Sequence, residues 1–145
     1  MSGSWVLDSE ALSQLLRDER DMVVRLAVAR KRDIRVVACA ATVIDADHDG
    51  VHPARLSWVL SRLTVHAVTK DSALTASRLL KEAGLHGHEY AIDAMVVTAA
   101  LELPDRPVDI LTPDPDDLSV LLGGRLEAAE RKRDRDRSKV RVIRV

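Results

Sequence analysis

Val108-Asp109-Ile110-Leu111-Thr112 reads as a short buried strand, and it runs directly into Pro113-Asp114-Pro115. The two prolines fix a turn and stop the strand, so Asp114 stands where an extended segment ends. Near the start of the chain, Trp5-Val6-Leu7 is a second short apolar run, and it also ends in a carboxylate, Asp8. Two strand-like runs a hundred residues apart, each closed by an aspartate, set the question that the rest of the sequence answers.

Working outward from these runs, strand-like and helix-like segments alternate. After Asp8, with Asp8 or Ser9 as N-cap, a helix is expected from about Glu10 to Leu16. A second follows from about Glu19 to Arg30, with Met22, Val23, Leu26 and Ala29 on one face. Ile34 to Ala38 reads as a strand, and a short helix starts near Ala40 and ends by Asp49-Gly50. Pro53 opens another helix, and Leu63 to Val68 reads as a strand. A helix over Ser72 to Ala83 stops at Gly84, Leu85 to Glu89 reads as a loop, and Tyr90 to Leu101 as a helix. Beyond Val108 to Thr112, a short helix over Leu118 to Leu122 ends at Gly123-Gly124. Arg125 to Ser138 is highly charged, and Lys139 to Val145 alternates basic residues with Val and Ile, the pattern of an edge strand with one wet face.

Strands separated by helices imply a parallel sheet covered on both faces. Sites in such sheets form outside the carboxyl ends of the strands, where the strand order reverses. Asp8 and Asp114 both fall at expected strand ends. A third acid, Asp93, lies in Tyr90-Ala91-Ile92-Asp93-Ala94-Met95-Val96-Val97, an otherwise apolar helical stretch. A carboxylate there is costly unless it is paired or binds a cation. Together the three suggest a divalent-metal site of oxygen ligands, suited to Mg²⁺ or Mn²⁺. In the alternative the acids act separately, with Asp8 and Asp114 capping helices and Asp93 pairing with an arginine.

The 145 residues fit one domain, 1–145, and a chain of this length buries roughly two-thirds of its unfolded surface without staples. Aromatics make up 2% with no Phe, so the core is aliphatic, and base-stacking platforms of the kind used by RRM or OB modules are excluded. The net charge of -1 hides an asymmetry: residues 125–145 carry nine Lys/Arg against four Asp/Glu, leaving 13 against 19 in the rest. Such a tail either helps hold a polyanion or is a solvated charged helix. The single cysteine, Cys39, lies in an apolar run and forms no intramolecular disulfide, which points to a reducing compartment. No signal peptide and no stretch of about 18 apolar residues is present, so a cytoplasmic protein without membrane contact is expected.

Asp45-Ala46-Asp47-His48-Asp49-Gly50 matches the opening of a calcium-binding EF-hand loop, but the twelfth position is Leu56 rather than Glu, and Pro53 sits at the ninth. His48 and His52, spaced i, i+4, and His86 with His88 have no thiol or third histidine near them in sequence, so surface or turn histidines are expected rather than a zinc site. In Thr112-Pro113-Asp114-Pro115-Asp116-Asp117, Thr112 could orient a carboxylate by hydrogen bonding, while Asp116 and Asp117 are expected to cap the next helix. Phosphate-binding, dinucleotide, zinc-protease and esterase signatures are all missing.

The order of these motifs resembles the PIN-domain family, in particular the ribonuclease toxins of type II toxin–antitoxin pairs (VapC-like). The resemblance runs from about Trp5 to Val145 and rests on Val6-Leu7-Asp8-Ser9, Ile92-Asp93-Ala94-Met95-Val96-Val97 and Leu111-Thr112-Pro113-Asp114-Pro115-Asp116-Asp117-Leu118. It implies a three-layer α/β/α domain with a central, mostly parallel sheet of about five strands. It also implies that Asp8, Asp93 and Asp114 are catalytic metal ligands for Mg²⁺ or Mn²⁺, that the substrate is RNA, and that the partners are a cognate antitoxin and a second copy of the chain, with the early helices as candidate dimer surfaces. The family places a Glu on the helix after the second strand, whereas no Glu occurs between Arg20 and Lys81. Aligning on Val37-Ala38-Cys39 puts Asp45 at that position, and a small shift selects Asp47. The rival reading is a non-catalytic PIN-like binding module with a degenerate acidic site.

Overall fold

The computed structural model describes residues 3–123 and 140–145. The described elements follow the expected alternation: β1 (Ser4–Leu7), α1 (Ser9–Leu16), α2 (Arg20–Lys31), β2 (Arg35–Cys39), α3 (Ala40–Ala46), α4 (Pro53–Ser61), β3 (Thr64–His66), α5 (Lys70–Ala83), α6 (Gly87–Glu102), β4 (Val108–Thr112), α7 (Asp116–Leu122) and β5 (Val140–Arg144). The strands form one sheet in the order β3-β2-β1-β4-β5, and every neighbouring pair is parallel.

The alternation of side chains along each strand builds two cores, one on each face of the sheet. Val6, Val37, Cys39, Val108, Ile110 and Val140 face one way, into a cluster completed by α5, α6 and α7. Leu7, Val36, Ala38 and Leu111 face the other way, onto α1 and α2 and onto Val59 of α4. Because both faces of the central strands are covered, β1, β2 and β4 read as near-continuous apolar runs. The result is a three-layer α/β/α architecture whose interior is aliphatic.

Strand order fixes where a crevice opens. The chain leaves β1 for β2 and β3 on one side, then returns to add β4 on the other side of β1. The reversal therefore lies between β1 and β4, and their carboxyl ends flank it. Register makes the two ends meet: Leu7 pairs with Leu111, and the Asp8 N–H donates to the Leu111 carbonyl at 3.2 Å. Asp8 is thereby set beside Thr112.

Several element limits depart from the sequence expectation, among them α5, which begins at Lys70 rather than Ser72 because Thr69 caps it. The loop expected over Leu85 to Glu89 is cut short, because α6 begins at Gly87 with His86 as its N-cap residue. Glu89 then sits in the first turn, where a negative charge suits the helix dipole. β3 is three residues long instead of six, because its neighbour among the described residues, β2, ends at Cys39, which pairs with His66 and becomes the N-cap residue of α3. α7 starts at Asp116, two residues ahead of the apolar run. The expected terminal edge strand is present as β5, which pairs with β4 from Val108–Val140 to Thr112–Arg144. The charged segment of residues 125–138 lies outside the described residues. Among the described residues no helix is long and apolar enough to cross a membrane.

Candidate functional site

Asp8 is the fixed point of the crevice. It is 8% exposed and is the N-cap residue of α1, with its Oδ1 accepting the Ala11 N–H at 2.8 Å. Burial raises its pKa, opposed by hydrogen bonds from Thr112 and the Ala11 amide. Thr112 is fully buried at the end of β4. Its hydroxyl has one proton and two acceptors in reach, the Asp8 carboxylate and the Asp114 carbonyl at 3.1 Å. It also accepts the Asp114 N–H at 3.0 Å. Thr112 thus ties the turn carrying Asp114 to the carboxylate at the end of β1, the orienting role that its place in the sequence suggested.

Asp93 enters from α6, the helix that underlies the sheet on the other side. It is half-buried, and its pKa is pushed up to about 6. Burial is the largest cause, followed by the charges of Asp8, Asp117, Asp45 and Asp114. Four acids from three parts of the chain therefore act on Asp93 at once. Asp45 stands exposed in the last turn of α3, and Asp114 stands exposed in the turn after β4. Among the described residues no Lys or Arg forms an ion pair with any of the five. The alternative in which Asp93 pairs with an arginine is therefore not realised there.

The capping expectation for the acids after β4 is also corrected. The N-cap residue of α7 is Pro115, and no side chain caps the helix. Asp114, Asp116 and Asp117 leave its first amides without a carboxylate acceptor. Asp117 is instead half-buried and, after Asp8, is the strongest of the charges acting on Asp93. Sequence reading missed this residue. The available signal was Leu118 directly after it: in a helix of two turns with Leu118, Leu121 and Leu122 buried, the neighbour of the buried stripe is drawn inward and Asp116 is left exposed.

The other constellations do not assemble. Asp45 lies within α3, and Leu56, at the position of the missing calcium-loop glutamate, lies in α4 packed against the core. His48 Nδ1 accepts the Gly50 N–H at 3.0 Å, and His52 Nδ1 accepts the Ala54 N–H at 3.1 Å. The neutral rings thus carry their proton on Nε2, and neither nitrogen offers zinc a free lone pair. The Cys39 thiol is buried, and burial raises its pKa, which makes it an inert core residue. Among the described residues, no three His, Cys, Asp or Glu side chains stand in a ready-made metal cage.

The donor set still fits a hard cation. All five groups are carboxylates, they repel one another, and the described residues supply no positive charge among them. Mg²⁺ is held through one or two carboxylates with the rest of its shell filled by water and phosphate, so it does not require a closed protein cage.

No family model and no curated protein matches this sequence. Among solved structures, a chain of VapBC2 from Rickettsia felis, crystallised bound to a DNA fragment from their promoter, superposes with a TM-score of 0.57. The match covers 79% of this chain and 90% of that one at 12% identity. The fold is PIN-like. At that identity the likeness establishes the architecture, and the chemistry of the PIN-like crevice is argued from its own residues.

Proposed function

We propose that this chain is a metal-dependent endoribonuclease that hydrolyses RNA phosphodiester bonds, and that it is the toxin of a toxin–antitoxin pair. The observation that carries the reading is Asp93, half-buried on α6, whose pKa burial and then the charges of Asp8, Asp117, Asp45 and Asp114 push up to about 6, with no Lys or Arg ion pair among the described residues to relieve it. Such repulsion costs stability. It makes physical sense at a site that binds Mg²⁺ or Mn²⁺. When bound, the ion supplies Lewis acidity and offsets charge on the phosphate.

The residues divide the work by their burial. Asp8 is held by the Ala11 amide and Thr112 and would be the rigid ligand at the floor. Asp93 is the ligand whose charge state depends most on the cation. Asp114 and Asp45, exposed at the rim, would complete the set directly or through water, Asp45 being one methylene shorter than the family's glutamate. Basic residues of the 125–145 segment would offset the RNA backbone. The fold's likeness to a chain of VapBC2 supports an antitoxin partner, and a second copy of the chain is the further partner that the family resemblance implies.

One observation favours a second reading. The absence of a ready-made cage among the described residues, with Asp in place of Glu, suits a PIN-like module that binds without cutting. The test is RNA cleavage by the purified chain in Mn²⁺ against EDTA, repeated with Asp8→Asn and Asp93→Asn. Cleavage that needs the metal and disappears in both variants supports the nuclease. Unchanged cleavage in both rejects these residues and the proposal with them. No cleavage, together with no metal-linked rise in Tm, favours the binding module.

A further inference from the structure

Two arginines of the basic 125–145 segment stand among the described residues, Arg141 and Arg144, both on β5, and they differ in partner. Side chains alternate between the two faces of a sheet. Ile143 and Val145 pack on the α1/α2 side, and Arg141 shares that side, where Asp109 holds its guanidinium at 2.8 Å. Val140 and Val142 pack on the α5/α6/α7 side, and Arg144 follows them. Its register partner on β4 is Thr112, which hydrogen-bonds Asp8 and the Asp114 backbone. The strand end is fixed there, because the Val145 N–H donates to the Thr112 carbonyl at 3.0 Å. Arg144 Nη1 then donates to the Pro113 carbonyl at 3.2 Å, which sets the guanidinium against the turn that carries Asp114.

Arg144 is exposed, and among the described residues it forms no ion pair with a carboxylate. A neutral carbonyl accepts from one of its amino groups and cancels no charge, so the remaining N–H donors keep a full positive charge to offer an anion. A guanidinium with unused donors matches a phosphate, which it binds through two parallel hydrogen bonds. β5 lies one strand beyond β4, about 4.7–4.9 Å further from the reversal between β1 and β4. A phosphate on Arg144 and a phosphate at the crevice are therefore neighbours along one backbone rather than the same group. The geometry points to Arg144 as a positioning residue that binds the RNA phosphate next to the one presented to Asp93. The inference rests on the ribonuclease reading above, and it assigns one defined phosphate to one guanidinium of the basic segment.

The test follows the anisotropy of a fluorescein-labelled single-stranded oligoribonucleotide titrated with the full chain in Ca²⁺ over a range of salt, alongside steady-state cleavage in Mn²⁺. Arg144→Gln keeps a donor for the Pro113 carbonyl and loses the charge. It should flatten the slope of log Kd against log salt by about 0.7, the counterion release of one single-strand phosphate, and weaken binding about five-fold at about 0.1 M salt. KM should rise by a similar factor, with kcat within about two-fold. Arg144→Lys, which restores the charge, should recover the slope. Replacing one linkage at a time by a neutral methylphosphonate identifies the contact: at one linkage the wild type should lose about five-fold and Arg144→Gln nothing more. An unchanged slope in Arg144→Gln, additive losses at every linkage, or a loss of kcat at unchanged KM overturns the proposal. So does an equal loss of binding in Arg35→Gln, whose guanidinium pairs with Asp105 at the amino end of the strands. Binding with the altered slope but no cleavage by the wild type supports the role of Arg144 and overturns the ribonuclease reading. Cleavage by the wild type with unaltered binding in Arg144→Gln overturns the role of Arg144 alone. Neither binding nor cleavage by the wild type overturns both.

Discussion

Aspartates stand in two kinds of surroundings on this sheet. Asp109, in mid-β4, meets Arg141 directly across on β5, with Nε and Nη2 donating to its two carboxylate oxygens at 2.8 and 2.9 Å. Asp105, before β4, meets Arg35 at the start of β2 at 3.1 Å. At the opposite, carboxyl end of the strands, the charges of Asp8, Asp45, Asp114 and Asp117 act on Asp93, and among the described residues none of the five forms an ion pair with Lys or Arg. The paired acids join neighbouring segments. The crowded ones lower stability and, on the proposed function, would accept a cation from outside. The same residue type is paired with an arginine at one place and left without a basic partner among the described residues at the other, and the difference lies in the partner supplied.

The comparison breaks most sharply on activity. Asp93→Asn removes one of the crowded charges and is expected to cut RNA cleavage by more than about 100-fold, beyond the 10–100-fold typical for an outer-shell partner. Asp109→Asn should leave cleavage unchanged in the same assay. Equal losses in the two variants would erase the distinction between the regions. Thr112→Val comes next. It removes the hydroxyl that orients Asp8 and Asp114 and should lower cleavage by roughly ten-fold, with the metal requirement kept; an unchanged rate would show that Asp8 needs only the Ala11 amide.

The third prediction concerns pH. The Asp93 carboxyl is raised from 3.8 to about 6 in the folded chain, so between these values the native state holds more protons than the unfolded one. Stability linked to Asp93 is then fully present below about pH 4 and is lost as pH rises through 6, and the raised Asp8 carboxyl acts in the same direction. Mn²⁺ should therefore raise Tm at pH 7.5 by on the order of 5 °C and have little effect at pH 4.5, where protons occupy the site. A metal shift of equal size at both values would contradict this linkage. Removing one rim acid at a time sharpens it. Asp45→Ala should reduce the pH 7.5 shift and Asp47→Ala should not, since Asp45 acts on Asp93 while Asp47 caps the end of α3; the reverse result would reassign the fourth acid. The smallest effect belongs to the paired region. Asp109→Asn should lower stability by about 0.5–1 kcal/mol in denaturant titration, less at high salt, as for a partly exposed ion pair.

Much of this was legible in the residues. Val108 to Thr112 matches β4 end for end, Gly84 does stop α5 in a left-handed conformation, and Asp8 does cap α1. Local patterns sufficed because burial on both faces leaves no other reading for short apolar runs closed by Pro, Gly or Asp. The limits of β3 and α6 were not legible, because one depends on where a neighbouring strand ends and the other on how His86 to Glu89 sit against the rest of the fold. The role of Asp117 was hidden for a similar reason. As a residue in a first helical turn it is indistinguishable from Asp116, and only the packing of α7 on α6 turns one inward and leaves the other in solvent.

The sequence by itself determined the alternation of strands and helices, the aliphatic two-faced sheet and the three aspartates at its joints, since these follow from side-chain period and from the cost of burying charge. Tertiary structure alone decided which acids share a field. Strand order β3-β2-β1-β4-β5 puts the reversal between β1 and β4, register sets Asp8 against Thr112, and α6 carries Asp93 to them. Electrostatic repulsion depends on distance through space, which spacing along the chain does not give.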